Sequence, residues 1–323
     1  MTYAGIDVSK DKLDLAILSL ASEKVVLHRF PNNEQGRSAL LRLLTTKRPR
    51  RLVLEASGVY HSPLLHQLAA AGLPVALANP YQVAAFRKAS GARNKTDRED
   101  ALLLARYASV YQNQLTPHTL PPEAVAELKE VLTYREQLSA RLRQVNNQIE
   151  AARWKQTRGR TSKTLAWLQE EKEQIQSRLK AVEAEAQRLL QAIPESRVLL
   201  SQKGVGLWVA ATVLAFLPPN LWGRPKRASA YAGLIPEQAL SGSSVRKSRL
   251  SRRGPALLRR QLFMAAWVAV RHDPEMAAFY QRLLANHKKK KQALVAVAHK
   301  ILRQLMGKLR AYYREKGRES LVA

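Results

Sequence analysis

The chain has 323 residues, 46% of them apolar, which is enough for two or three domains with real cores. It carries 54 Lys plus Arg against 25 Asp plus Glu, a formal charge of +29, and an excess of that size points to an anionic polymer as partner. The chain has no Cys, which excludes disulfides and thiolate metal sites; with no signal peptide and no apolar run near ~18 residues, a cytoplasmic protein with no membrane partner is expected.

Residues 3–8 (YAGIDV) read as a short buried strand ending in an acid. Runs at 13–20 and 24–30 follow after short polar breaks, a spacing that suits an antiparallel meander. Pro31-Asn32-Asn33 is a turn, and 34–46 has helical periodicity through Leu40, Leu41, Leu43 and Leu44. Residues 51–55 (RLVLE) form a fourth strand, again ending in an acid. A helix at 62–71 stops at Gly72, and 73–79 is a fifth strand. Helices are expected near 81–90 and at 97–111. Three strands, then strands alternating with helices, is the order of a ribonuclease-H-type fold.

Within RNKTDREDALLL (93–104), Thr96 and Glu99 make a capping box, so a helix starts at Asp97. Asp97 and Asp100 then project from one side of its first turns. Asp7 and Glu55 end strands that would be neighbours in such a sheet. Four carboxylates converging there would suit Mg²⁺ or Mn²⁺, the chemistry of phosphoryl displacement. The bland alternative is a dipole-matched helix start with strand-end acids facing water. Asp11 and Asp14 read as acids of that second kind.

The middle of the chain reads as two long helices. Apolar positions repeat at heptad spacing from Leu128 to Ala152, with Arg135 in register. They repeat again from Leu165 to Ile193, with Lys172 in register. Pro121-Pro122 precedes the first helix, and the basic break 157–163 separates the two. They form either a plain helical hairpin or a coiled-coil arm that dimerises, with Arg135 and Lys172 helping to set the register.

The last third, 191–323, holds 25 basic and only 6 acidic residues, so it is the main expected nucleic-acid surface. Residues 199–216 read as helix, tight turn and helix, with Lys203, Gly204 and Gly206 in the turn. That is either a helix-hairpin-helix offering backbone N–H groups to a phosphate or a plain αα-hairpin. No acid lies between Glu237 and Asp273, and Arg246, Lys247, Arg249, Arg252, Arg253, Arg259 and Arg260 crowd the start of that interval. Ser241, Gly242, Ser243 and Ser244 precede these cations in what reads as a flexible, helix-poor loop. Those serines either contact phosphates or include a nucleophile activated by arginines. Pro255 opens a helix, and a last long helix is expected at about 291–314 after the Lys288–Lys291 run.

Together these motifs are specific. GIDVSK (5–10), LEASGVY (54–60), ANP (78–80), RNKTDREDA (93–101), AGL.P (232–236) and SGSSVRKSRLSRRG (241–254) resemble the DEDD insertion-sequence transposases of family one-hundred-and-ten, the bridge-RNA-guided recombinases. The resemblance covers nearly the whole chain, in order. It implies a RuvC-like domain at 1–112, whose Asp7, Glu55, Asp97 and Asp100 bind metal. It implies a coiled-coil arm at 113–190 used in assembly. It also implies a mostly helical transposase domain at 191–323, whose catalytic serine matches Ser241 and forms a covalent phosphoserine link to DNA. The family assembles as dimers or dimers of dimers, pairing the acids of one protomer with the serine of another. A structured noncoding RNA pairs with donor and target DNA and chooses the sequence, leaving the protein to read backbone and helix shape.

The expected function is therefore an RNA-guided DNA recombinase, in the bacterial cytoplasm at the nucleoid, using Mg²⁺ (or Mn²⁺). Its nucleic-acid contacts would fall on Lys203, Gly204, Gly206, Ser243, Ser244, Arg246, Lys247, Arg249, Arg252 and Arg253. The rivals are a hydrolytic, junction-resolving nuclease using the same acids with water, and a non-enzymatic basic nucleic-acid binder.

Overall fold

A computed structural model describes residues 1–55, 58–91, 96–154, 163–241, 245–251 and 254–317; within 237–249 it describes backbone only. The chain divides into two compact units, Met1–Leu120 and Pro121–Ala323.

The first unit is built on a five-stranded sheet. Its strands are β1 (Thr2–Val8), β2 (Lys12–Ser19), β3 (Val25–Pro31), β4 (Arg51–Glu55) and β5 (Val75–Ala78), in the order β3-β2-β1-β4-β5. The pairs β1/β2 and β2/β3 are antiparallel, while β4 runs parallel to both β1 and β5. The sequence expected this mixed sheet, and it fits a RuvC-like transposase. Each of the five strands falls within two residues of the run that foretold it.

Period-2 alternation splits the strands between two cores. Ile6, Leu15 and Leu54 face helices α1 (Glu34–Lys47) and α2 (Ser62–Ala70). Tyr3, Val53 and Ala76 face the other side, against α3 (Pro80–Ala89) and α4 (Asp97–Val110).

Helix α4 lies unusually close to the sheet, and Gly5 is the reason. A Cβ at Gly5 would overlap the backbone of Ala101 and Ala105. The small buried residues Ala16, Ala101 and Ala105 continue that close crossing. Thr96 caps α4 as expected, its Oγ1 accepting from the Glu99 N–H at 3.3 Å. The Glu99 carboxylate accepts from the Thr96 hydroxyl rather than from its backbone, so the capping box is only half formed.

The second unit is mostly helical. Its elements are α5 (Glu123–Trp154), α6 (Lys163–Ala192), α7 (Glu195–Leu200), α8 (Leu207–Phe216), α9 (Pro225–Tyr231), β6 (Pro236–Ser241), β7 (Val245–Leu250), α10 (Ala256–His272), α11 (Pro274–Ala285) and α12 (Lys290–Glu315).

Helices α5 and α6 pair antiparallel. Arg135 donates to Glu183 at 2.8 and 3.0 Å, and Arg141 to Glu171 at 2.8 Å. Arg135 also lies 4.2 Å above the Trp208 ring, so its in-register charge is satisfied on two sides. The base of this hairpin, through Val125, Leu128, Leu132, Ala186 and Leu189, belongs to the main helical core. Farther out, Val145, Ile149 and Ile175 form a small core of their own.

One expectation fails here. The stretch around Ser241 is not simply a loop: β6 and β7 form an antiparallel hairpin whose ladder runs from Pro236↔Leu250 to Ser241↔Val245. Its strands, PEQALS and VRKSRL, hold no aromatic and only one β-branched residue, Val245, so the strand pattern was weak in the sequence.

Candidate active site

The strand-end acids meet because register and face agree. The β1/β4 ladder ends at Ile6↔Leu54, which sets Asp7 and Glu55 side by side one step beyond it. Asp7 lies two residues past Gly5, and Glu55 two past Val53, so both belong to the face covered by α4. Gly5 lets the start of α4 descend onto that face, bringing Asp97 and Asp100. The result is a cluster of acids at the end of the sheet. Burial, and next the charges of Asp100, Asp97, Glu55 and Asp14, push the Asp7 carboxyl up to about 6.

Asp14 is the residue that sequence reasoning misread. It is not a strand-end acid facing water but is only 3% exposed, directly opposite Asp7 in the β1/β2 ladder. Its counter-charge is Arg29, its register partner on β3, which donates to both carboxylate oxygens at 2.9 and 3.2 Å. The same guanidinium reaches Asp97 at 3.6 Å. On the other side Arg87 of α3 donates to Asp100 at 2.6 Å. Both α4 carboxylates are thus paired with arginines, and among the described residues no three His, Asp or Glu side chains are placed to hold a metal ion. The register of the tight β1/β2 hairpin was the available signal for Asp14, since a turn centred between Ser9 and Lys12 sets position 14 against position 7.

Arg29 should thus matter to folding. Arg29→Ala strands a buried carboxylate and should lower the thermal unfolding midpoint by several degrees, while Arg29→Gln combined with Asp14→Asn should recover most of the loss. A single variant that melts with the wild type would show that the pair contributes nothing to the fold.

The other candidate residues lie in the second unit. Ser241 is the last residue of β6. Ser243, Ser244, Arg252 and Arg253 fall outside the described residues, as do the side chains of Ser241, Arg246, Lys247 and Arg249. Lys203, Gly204 and Gly206 sit in the turn between α7 and α8. Gly204 has φ +81°, and a Cβ there would come within 2.9 Å of Ala269, so internal packing alone accounts for that glycine. Gly206 is the N-cap of α8, and a Cβ there would meet open space.

Comparison with known proteins agrees with this architecture. A family model described as "Transposase", the DEDD type of IS110, matches residues 4–152. A second, described as "Transposase IS116/IS110/IS902 family", matches residues 196–281. The chain belongs to the IS110 transposases. This transposase is 26% identical to a "Pilin gene-inverting protein" of Moraxella lacunata over 93% of both chains. It is 32% identical to an uncharacterised 43.6 kDa protein of insertion element IS110 from Streptomyces coelicolor, over 42% of this chain and 34% of that one. A putative transposase of Sinorhizobium fredii is 33% identical over 38% of this chain and 36% of its own. No described helix of the transposase is long and apolar enough to cross a membrane.

Proposed function

We propose that the transposase is an RNA-guided recombinase that cuts, exchanges and rejoins the DNA strands of a mobile element and its target. The observation that carries this reading is the acidic cluster under α4, where burial first, and then Asp100, Asp97, Glu55 and Asp14, push the Asp7 carboxyl up to about 6. Carboxylate oxygens are the donors Mg²⁺ prefers, and a divalent cation there would compete with Arg29 and Arg87 for the α4 carboxylates. Asp7, Glu55, Asp97 and Asp100 would hold it, and the ion would supply Lewis-acid polarisation of a scissile phosphate.

Ser241 is the nucleophile in this reading. Its Oγ forms a bond to phosphorus as one P–O bond to deoxyribose breaks, and the hydroxyl proton passes to the departing sugar oxygen. Rejoining reverses both transfers, so the phosphodiester is conserved without an outside energy source. The cations that follow, Arg246, Lys247, Arg249, Arg252 and Arg253, would grip phosphates and offset charge at the reacting centre, with Ser243 and Ser244 as further phosphate contacts. Lys203, Gly204 and Gly206 would add backbone contacts at the start of α8.

Three functional parts follow: a RuvC-like domain at 1–112, an arm at 113–190 and a transposase domain at 191–323. The arm would join protomers as a coiled coil. The exposed indoles of Trp154 and Trp167, 85% and 65% accessible near its outer end, support a partner surface there. The name of the Moraxella relatives supports cutting with rejoining over simple hydrolysis. Guidance by a structured RNA comes from the family resemblance.

The deciding experiment traps the intermediate. Full-length protein, Mg²⁺, DNA spanning the ends of its own element and RNA transcribed from the flanking region should give a protein–DNA adduct that survives denaturation. A hydrolytic nuclease would yield nicks with no adduct, and an architectural binder would yield neither.

A further inference from the structure

Helix α12 carries Arg303, Gly307 and Arg310 at steps of four and three, a single stripe along the helix. Beside this stripe the segment 223–227 closes a cleft of about 440 Å³. Among the described residues Gly223, Arg224, Pro225, Lys226, Arg227, Arg303 and Arg310 line it, five of them cations and none an acid. Lys226, Arg227, Arg303 and Arg310 gather around this hollow, a concentration of positive charge that favours an anion. The field is felt nearby, where burial and then the charge of Arg303 lower the pKa of His299, one turn back on α12.

Gly307 supplies a second, independent observation. Glycine inside a helix costs about 1 kcal/mol relative to alanine. Gly5, Gly204 and Gly254 each have an internal reason, because a Cβ there would strike a neighbouring backbone or side chain. Gly307 has none: its Cβ would meet open space. A bare stretch of helix between two arginines serves nothing inside the chain. It serves a ligand that comes up to the helix backbone from outside.

We infer that this cleft binds the phosphodiester backbone of a nucleic acid, with the strand crossing Gly307 between Arg303 and Arg310. Arg224, Lys226 and Arg227 face it from the other wall. The helical rise sets the two α12 arginines ~10 Å apart along the axis, so they grip separate phosphates of one strand. The described lining residues offer no aromatic ring to stack a base and no amide or carboxylate to read a base edge, so the contact is indifferent to sequence. This inference rests on the reading of the chain as an enzyme of nucleic acids and adds a site outside the 203–253 region.

The test measures binding of full-length protein to a random-sequence DNA duplex and to a structured RNA hairpin across a series of salt concentrations. Arg303→Gln with Arg310→Gln should weaken binding roughly tenfold at physiological salt and flatten the logarithmic salt slope by about 1.5. Gly307→Ala should melt at a higher temperature, since alanine is the better helix former, yet bind several-fold more weakly. A merely structural role would not move those two readouts in opposite directions. Whichever polymer loses affinity is the one the cleft holds. Unchanged salt slopes for both polymers in the double variant, or a Gly307→Ala protein that melts higher and binds as before, would overturn the inference. Metal-dependent strand cutting by the wild type is scored separately, so a failed enzyme reading and a failed cleft give different patterns.

Discussion

Ser241→Ala should reduce strand exchange by roughly 10⁴-fold or more, the scale seen when a covalent nucleophile is removed. The denaturation-resistant adduct should vanish with it. Binding should hardly change, because the lost hydroxyl offers a bound phosphate at most one hydrogen bond, about 1 kcal/mol. Ser243→Ala and Ser244→Ala are the controls and should keep the adduct. The backbone favours Ser241 for this role. It closes the β6/β7 ladder opposite Val245, which anchors its Cα to a paired strand at the mouth of the turn. A nucleophile needs that fixity, since small displacements of a reacting atom cost orders of magnitude in rate. An adduct that persists in Ser241→Ala and disappears in Ser243→Ala would move the chemistry two residues along.

The N-terminal sheet was legible because its signals are local. Apolar runs of strand length, bounded by Pro31-Asn32-Asn33 and Gly72, set the strands, and Thr96 set the start of α4. Two strand ends and one helix start put Asp7 and Glu55 on the sheet face under the start of α4, although among the described residues no three acids are placed to hold a metal ion. What supports those acids was not legible. Asp14 and Arg29 are register partners, and register depends on pairing that no single strand reveals. Arg87 comes from a different helix and reads locally as an ordinary last-turn cation. Gly5 looked like one more residue of a buried strand; its need to be glycine appears only when α4 lies across it. In the second unit, the sequence reading did not place α11, although its start is marked by Asp273-Pro274, with Asp273 accepting from the Glu275 N–H at 3.0 Å. The β6/β7 hairpin had no such mark, because its strands, PEQALS and the basic VRKSRL, hold little β-propensity and are defined by their pairing.

Asp7→Asn should separate stability from catalysis. The folded-state pKa of Asp7 stands at about 6, above its ordinary 3.8, from burial first and then from Asp100, Asp97, Glu55 and Asp14. A raised acid binds its proton more tightly when folded. Its contribution is therefore fully present below pH ~4 and is lost as pH rises through ~6. At neutral pH and without metal, the ionised carboxylate costs the fold about 1 kcal/mol once its partial exposure is discounted. Asparagine keeps the shape and removes the charge. The metal-free variant should be more stable than the wild type at neutral pH by about that amount, with the step between pH 4 and 6 gone. Mg²⁺ should reverse the ranking. Wild type gains about 2.7 kcal/mol at a hundredfold excess over its dissociation constant, and the variant gains much less. Strand cutting should fall by about 10³-fold in the variant, because the ion loses a central ligand. Urea unfolding at several pH values, with and without Mg²⁺, reads both halves on one protein. Equal Mg²⁺ stabilisation of variant and wild type would take Asp7 out of the metal site, and an unchanged pH profile would remove the strain assigned to it. The acids that make the cluster costly to fold are, in this account, the same ones that make it able to seat a cation beside a phosphate.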